Sequence, residues 1–109
     1  MITPAYRYRA TLNRVIDGDT YVLDVDLGFR ITAAITVRVR GVDTPEVVGA
    51  TKAAGLAAAG YAAALLAGAP IVIESYKDKQ SFARWVADVY VDGVSIATAL
   101  IAGGYGVRI

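Results

Sequence analysis

The sequence RITAAITVRVRGV occupies residues 30–42 and is dense in isoleucine, threonine and valine. β-Branched side chains pack well on a pleated surface, so this run predicts a long strand, the third along the chain. Pro45 follows closely, and a proline cannot donate a hydrogen bond to a neighbouring strand. We therefore expect the strand to end at the sequence Asp-Thr-Pro-Glu, residues 43–46.

Two shorter strands are predicted before this run, at residues 6–15 and 21–26, where large side chains alternate with other residue types. Between them lies Asp17-Gly18-Asp19, and Asp-Gly is a common signal for a tight hairpin turn. A second turn is predicted at Leu27-Gly28, where the chain enters the third strand. The first half of the chain therefore predicts consecutive hairpins, the first of which carries carboxylates at its tip.

The apolar spacing changes to that of an amphipathic helix between residues 49 and 67. The residues at this spacing, which are expected to form the buried stripe, are Ala54, Ala58, Tyr61 and Leu65. Extended segments are then predicted at residues 71–76 and 85–91, with a polar loop at 77–81 between them. Ser95 is placed to cap a short final helix that stops at Gly103-Gly104.

This order of elements is that of a small five-stranded Greek-key barrel, the OB-fold. The predicted class is mainly β, α+β, with one helix between strands three and four and a short helix after strand five. The chain has 109 residues and shows neither an internal repeat nor a long polar linker. We therefore expect one domain over residues 1–109.

Composition limits the chemistry that this domain can perform. The chain contains no cysteine and no histidine, which excludes disulfides, thiolate or imidazole metal sites and Ser/His or Cys/His nucleophiles. The net charge of +1 argues against a basic face over the whole domain, but it permits a local cationic cleft. Catalysis would have to use carboxylates, arginines, hydroxyls or a bound cation.

Neither export nor membrane insertion is predicted from the sequence. Residues 1–8 lack the apolar segment of a signal peptide. The alanine-rich stretch at residues 50–73 is interrupted by glycines and by Pro70, so it is not expected to span a membrane. The sequence leaves the cellular location unknown.

Three segments carry a resemblance to a known family. They are VIDGDT at residues 15–20, VRVRGVDTPE at 37–46 and RWVADVYVDG at 84–93. Together, and in this order, they resemble the signature segments of the staphylococcal nuclease (thermonuclease) family. The resemblance implies an OB barrel, calcium as cofactor, and cleavage of DNA and RNA that leaves 3′-phosphates. It also implies single-stranded or locally open nucleic acid as partner; family members are often secreted, and we expect a monomer.

The resemblance also implies a set of calcium ligands. Asp19 and Asp43 match carboxylate ligands of the family, and Thr44 matches a ligand that binds through its backbone carbonyl. Oxygen ligands without nitrogen or sulfur select Ca²⁺, Mg²⁺ or Mn²⁺ over zinc. Asp17 is interpreted as a residue that tunes the site by its charge or through a bound water. Alone, the Asp17-Gly18-Asp19 sequence is more typical of an ordinary hairpin turn than of a metal site.

Three residues match catalytic positions of the family. Glu46 matches the proposed general base, and Arg38 and Arg84 match the two catalytic arginines. Guanidinium groups pair bidentately with phosphate oxygens and stabilise the charge that accumulates in the transition state. Taken singly, Glu46 also fits an acidic residue in a first helical turn, and each arginine fits a solvated surface residue.

Two further residues are assigned to substrate binding. Phe82 replaces a tyrosine of the family's reference enzyme, so it keeps a ring face for stacking and lacks the hydroxyl. Arg40 fits either a phosphate contact or a solvated side chain. Strict alternation places Arg38 and Asp43 on opposite faces of a strand. We therefore expect Gly41 to mark a bulge or a sharp twist.

Two functions stay open at this level. The first is a calcium-dependent endonuclease of low sequence selectivity. The second is a catalytically silent OB-fold module that binds single-stranded nucleic acid or a protein. The sequence favours the nuclease, because every position of the catalytic and ligand set carries the required residue type.

Overall fold

Five long strands form a closed barrel in the computed structural model, which describes residues 2–81 and 84–109. The long strands are β1 (Arg7–Asp17), β2 (Thr20–Gly28), β3 (Ile31–Val39), β5 (Ile71–Ser81) and β6 (Arg84–Val91). Neighbouring strands are antiparallel, except that β3 pairs in parallel with β6 and so closes the barrel. The predicted OB-fold is confirmed.

Short elements complete the fold around this barrel. They are β4 (Val42–Asp43), a 3₁₀ turn (Gly49–Thr51), α1 (Lys52–Leu66), β7 (Val94–Ser95), α2 (Ile96–Ala102) and β8 (Val107–Arg108). β4 pairs with β8, and β7 continues the sheet beside β6. The Ser95 hydroxyl accepts a hydrogen bond from the Thr98 amide, so the predicted cap of the final helix is confirmed. Within residues 2–81 and 84–109, neither helix has the length and the apolar content of a membrane-spanning segment.

The hydrophobic core fills the barrel and the space beneath both helices. β2 is buried on both faces at its start, where Thr20, Tyr21, Val22 and Leu23 are consecutive buried residues. The largest fully buried core side chains are Tyr21, Leu23, Leu66, Ile96, Leu100, Val25, Val37, Val39, Val42 and Val89.

The buried face of α1 differs from the predicted stripe. It consists of Gly55, Ala58, Ala62 and Leu66. Tyr61 and Leu65 are only partly buried, and Ala54 is exposed. The helix is rich in alanine on every side, so its apolar spacing does not fix which face turns inward.

Two predicted strand boundaries are wrong. The third strand ends at Val39 and not at residue 42, because Arg40 and Gly41 form a turn before β4. The predicted polar loop at residues 77–81 belongs instead to β5. Ladder pairing with β6 resumes there after a register shift, with Ser81 opposite Arg84, and this pairing overrides the low strand propensity of the polar residues.

The β2–β3 hairpin turns at Phe29 and Arg30, just after the predicted position. Both residues have positive φ angles, 55° and 61°, a conformation that suits glycine and asparagine. Phe29 is 96% exposed, so packing does not compensate for the unfavourable backbone. This turn therefore lowers the stability of the domain.

Replacing Phe29 and Arg30 together with Asn and Gly is expected to raise the free energy of unfolding by about 1–2 kcal/mol. Asn-Gly adopts the required turn without strain. Urea denaturation measures the change. Arg30→Ala is the control, because alanine retains the unfavourable φ and brings no gain. An unchanged midpoint for the Asn-Gly variant would contradict the prediction.

Candidate active site

Asp19 is a buried carboxylate at the tip of the β1–β2 hairpin. The residue is only 4% exposed. One carboxylate oxygen, Oδ2, accepts a hydrogen bond from the Thr44 amide at 2.9 Å and lies 3.3 Å from Arg38 Nη1. The other, Oδ1, accepts a hydrogen bond from the Thr20 hydroxyl at 3.1 Å. The hairpin tip is therefore joined to both β3 and the segment that follows β4.

The Arg38 guanidinium is held in a fixed orientation. Its Nη1 donates to the backbone carbonyls of Val39 and Val42, each at 2.8 Å. Its Nη2 lies 3.4 Å from Asp43 Oδ1, so the one guanidinium contacts the carboxylates of both Asp19 and Asp43. Two carbonyls and two carboxylates thus fix a side chain that is only 13% exposed.

Gly41 brings Arg38 and Asp43 to the same site. Its φ of +86° lies in the left-handed region, which residues other than glycine rarely adopt. The turn at Arg40-Gly41 restarts the chain as β4 with Asp43 beside Arg38. The expected distortion at Gly41 is therefore a two-residue turn, and it removes the conflict with strict alternation.

Arg84 joins the same group of residues from β6. Its Nη1 donates to the Thr20 hydroxyl at 3.1 Å, and that hydroxyl donates to Asp19. Thr20 thus connects the second arginine to the buried carboxylate. Sequence reasoning did not assign a role to Thr20, although it is the last residue of the VIDGDT segment.

Glu46 lies at the exposed edge of the site. Its backbone carbonyl accepts a hydrogen bond from the Thr51 hydroxyl at 3.1 Å, and its backbone packs against Gly55 of α1. An exposed carboxylate two residues beyond Thr44 has ready access to water. Its role as general base stays a prediction.

A cleft of 300 Å³ opens beside the β4 segment. Its lining includes Asp43, Thr44, Thr51 and Tyr105. The Tyr105 ring stacks on Tyr61, with the ring centres 4.3 Å apart, which fixes the far wall of the cleft. Sequence reasoning did not assign Tyr105 to the site, because nothing in its local sequence shows that β8 returns to β4.

The two carboxyls of the hairpin tip have pKa values that are shifted in opposite directions. Burial, and then the hydrogen bond with Asp19 and its charge, raises the pKa of Asp17 to about 6. Burial alone would raise the pKa of Asp19 as well, but hydrogen bonds with Asp17 and the Thr44 amide and the charge of Arg38 lower it below its usual value. Asp19 is therefore the ionised member of the pair, and Asp17 retains the proton more readily.

Tyr21 supports the hairpin tip from inside the barrel. Its hydroxyl donates to the Gly18 carbonyl at 2.6 Å. Burial raises the pKa of this phenol above its usual value, so it remains a neutral donor. The sequence predicts this tyrosine only as a strand residue.

Asp17→Asn is expected to stabilise the protein at pH 7 in buffer with chelator. The pKa of the acid lies at about 6 in the folded chain and near 3.8 when unfolded, so stability decreases as the pH rises between these values. Asparagine does not ionise, and its carbonyl can still accept from the Asp19 amide. After allowance for solvent screening we expect a gain of about 1–2 kcal/mol at pH 7 and little gain at pH 4. Urea denaturation at both pH values measures it; an equal effect at both contradicts the prediction.

The oxygen atoms of this site are of the type that hard divalent cations prefer. The carboxylates of Asp19 and Asp43 converge on one positive group, the Arg38 guanidinium, and the Thr44 carbonyl belongs to the same segment. Among residues 2–81 and 84–109, no group of three or more acidic side chains is gathered closely enough to hold a metal. A calcium ion would therefore also need carbonyl, water or phosphate oxygens, and calcium accepts all of these.

The two residues assigned to substrate binding stay predictions. Arg40 forms a half-exposed ion pair with Asp88 at 3.1 Å, and its guanidinium lies 5.1 Å from the centre of the Tyr76 ring. It therefore belongs to a neighbouring surface cluster and not to the group around Asp19. Phe82 lies outside the described residues.

Comparisons with known proteins agree with this geometry. A family model described as staphylococcal nuclease homologue matches residues 36–109, more than half of the chain. The match includes Arg38, Asp43, Glu46 and Arg84, and it leaves the hairpin that carries Asp19 outside. A comparison with curated protein sequences gave no match. The chain belongs to the family of staphylococcal nuclease homologues.

Proposed function

We propose that this domain is a calcium-dependent endonuclease that hydrolyses DNA and RNA with low sequence selectivity and leaves 3′-phosphates. One observation carries the proposal: a continuous set of contacts runs from Arg84 through Thr20 and Asp19 to Arg38 and Asp43. It joins residues of four strands, β2, β3, β4 and β6, with the tip of the β1–β2 hairpin. Family membership supports the nuclease class.

The two arginines stabilise the transition state in this proposal. Negative charge accumulates on the equatorial oxygens of a phosphate under attack, and guanidinium donors fixed beforehand stabilise it without reorganisation. Arg38 meets this condition, because the carbonyls of Val39 and Val42 hold its Nη1. Arg84 lies on β6, the strand that pairs with β3 to close the barrel, and it is oriented by Thr20.

Glu46 orients the attacking water and accepts its proton. The water oxygen bonds to phosphorus while the bond to the 5′ oxygen breaks, so that the phosphate remains on the 3′ oxygen. The exposed position of Glu46 leaves room for the water and for single-stranded or locally open nucleic acid.

Asp19, Asp43 and the Thr44 carbonyl are the proposed calcium ligands. When bound, calcium supplies positive charge that offsets the charge of the phosphate. Asp19 suits this role because hydrogen bonds and Arg38 keep its pKa low, so the carboxylate is ionised at neutral pH. Asp17 influences Asp19 through their hydrogen bond and does not itself act as a ligand.

Incubation of the pure chain with single-stranded DNA and RNA, in calcium or in chelator, tests the proposal. We expect degradation in calcium only, with 3′-phosphate ends, and a loss on the order of 10²-fold for Arg84→Ala. Arg9→Ala is the matched control, because Arg9 is exposed on the outer face of β1. Equal degradation in all samples would indicate a contaminant and sink the proposal.

The catalytically silent OB-fold module is the second candidate. One observation favours it: the Arg38 guanidinium is already occupied by two carbonyls and two carboxylates. If this candidate is right, the chain binds single-stranded DNA or RNA in calcium and does not cleave it.

A further inference from the structure

Gly55, in the first turn of α1, touches the backbone of Glu46. A Cβ atom at position 55 would overlap the carbonyl group of Glu46 and lie 2.7 Å from the Val47 amide nitrogen. Real Cβ atoms essentially never approach other atoms below 3.0 Å. Any side chain at position 55 must therefore displace the backbone that carries the Glu46 carboxylate.

The same segment is confined from other directions. A Cβ on Gly18 of the hairpin turn would lie 2.8 Å from Thr44 Oγ1, and one on Gly106 would lie 3.2 Å from the Asp43 carbonyl oxygen. The Thr51 hydroxyl also bonds to the Glu46 carbonyl. The hairpin, α1 and the approach to β8 thus set the position of the segment through close contacts with its backbone and with the Thr44 side chain.

Gly60 offers a contrast within the same helix. A Cβ atom at that position would meet nothing within 4 Å. Both glycines weaken the helix relative to alanine. Of these two glycines, only Gly55 is required by packing, because the Glu46 backbone leaves no room for a side chain there.

We infer that Gly55 is a positioning residue for the Glu46 carboxylate. The inference rests on the proposed function and deepens it, because it makes α1 the support that sets the distance between the general base and the phosphate. Glu46 is exposed, so the position of its backbone sets the region that its carboxylate can reach. A displacement of about 1 Å can lower turnover by on the order of 10²-fold.

The first test compares Gly55→Ala with Gly60→Ala, two identical changes in one helix. Gly55→Ala is expected to lower kcat on single-stranded DNA in calcium by on the order of 10–10²-fold, with KM changed by less than about threefold. Gly60→Ala is expected to retain kcat and to raise Tm by several degrees. Full activity of Gly55→Ala would overturn the inference.

A double-mutant cycle distinguishes positioning from general damage. In the Glu46→Gln background, Gly55→Ala is expected to cause little further loss of kcat, because the group that it positions is already removed. Equal losses in both backgrounds would overturn the assignment while leaving the proposed nuclease intact. A wild-type chain without calcium-dependent cleavage would instead overturn the proposed function and this inference with it.

Backbone NMR provides a measurement that is independent of activity. Gly55→Ala is expected to shift the amide resonance of Val47, and Gly60→Ala is expected to leave it unchanged. The Gly55→Ala/Gly60→Ala variant keeps the test informative if the single change is poorly stable. An unshifted Val47 resonance would overturn the inference. A double variant that cannot fold would also overturn it, because Gly55 would then be needed for folding as a whole and not for the position of one carboxylate.

Discussion

Glu46→Gln is expected to lower kcat for nucleic acid cleavage by on the order of 10²–10⁴-fold, the usual contribution of a general base. Glutamine retains the size of the side chain and cannot accept the proton of the attacking water. The residue is exposed, so the free energy of unfolding should change by less than about 0.5 kcal/mol. Single-turnover kinetics and urea denaturation measure the two quantities separately.

The matched control for Glu46→Gln is Glu74→Gln. Glu74 forms an ion pair with Arg7 at 2.7 Å, an exposed contact between β5 and β1. Removing this charge should leave kcat unchanged. Comparable losses of activity in the two variants would show that net charge, and not a base at position 46, governs the rate.

Arg38→Ala is expected to reduce both activity and stability. Its loss leaves the Asp19 carboxylate, which is 4% exposed, without a cation, and breaking such a buried pair typically destabilises by about 3–5 kcal/mol. Turnover should decrease by on the order of 10²-fold or more, since a fixed phosphate donor is removed. Denaturation with chelator present measures the loss of stability.

Calcium provides a second measurement for this variant. Arg38→Ala removes the guanidinium that lies beside the carboxylates of Asp19 and Asp43, and a bound calcium ion can take its place. Calcium should therefore raise the Tm of Arg38→Ala more than that of the wild type. Arg40→Ala is the control, because its ion pair with Asp88 is half exposed and contributes less than about 1 kcal/mol. An equal calcium shift in all three proteins would contradict the prediction that calcium replaces the Arg38 cation.

The sequence predicts the barrel well where local patterns determine it. Alternation and the Asp-Gly signal give the β1–β2 hairpin, and Ser95 gives the start of α2. The end of β3 could not be predicted, because β-branched residues continue past the turn at Gly41. That boundary depends on a left-handed glycine and on carbonyls that bond to the Arg38 guanidinium, which are features of the folded chain.

For the site, too, the sequence indicates which residues are present but not how they contact one another. The three sequence segments indicate which residue types are present, and the family they resemble is confirmed. They do not show that Thr20 connects Asp19 to Arg84, which depends on the pairing of distant strands. Nor do they show that Gly55 contacts Glu46, which depends on how α1 packs against the segment before it. The extent of the domain over residues 1–109 and the substrate contacts of Phe82 and Arg40 stay predictions.

The parallel pairing of β3 with β6, called the seam below, must form before Arg38 and Arg84 can contact one phosphate. Arg38 lies opposite Val86 across this seam, and Arg84 begins the strand on its other side. The seam joins segments distant in the sequence, so its formation must overcome the entropy of a long loop and is expected late in folding. A partly folded chain would hold the two arginines apart. On the proposed function, we therefore expect only the closed barrel to hydrolyse nucleic acid. A partly folded chain is expected to leave nucleic acid intact.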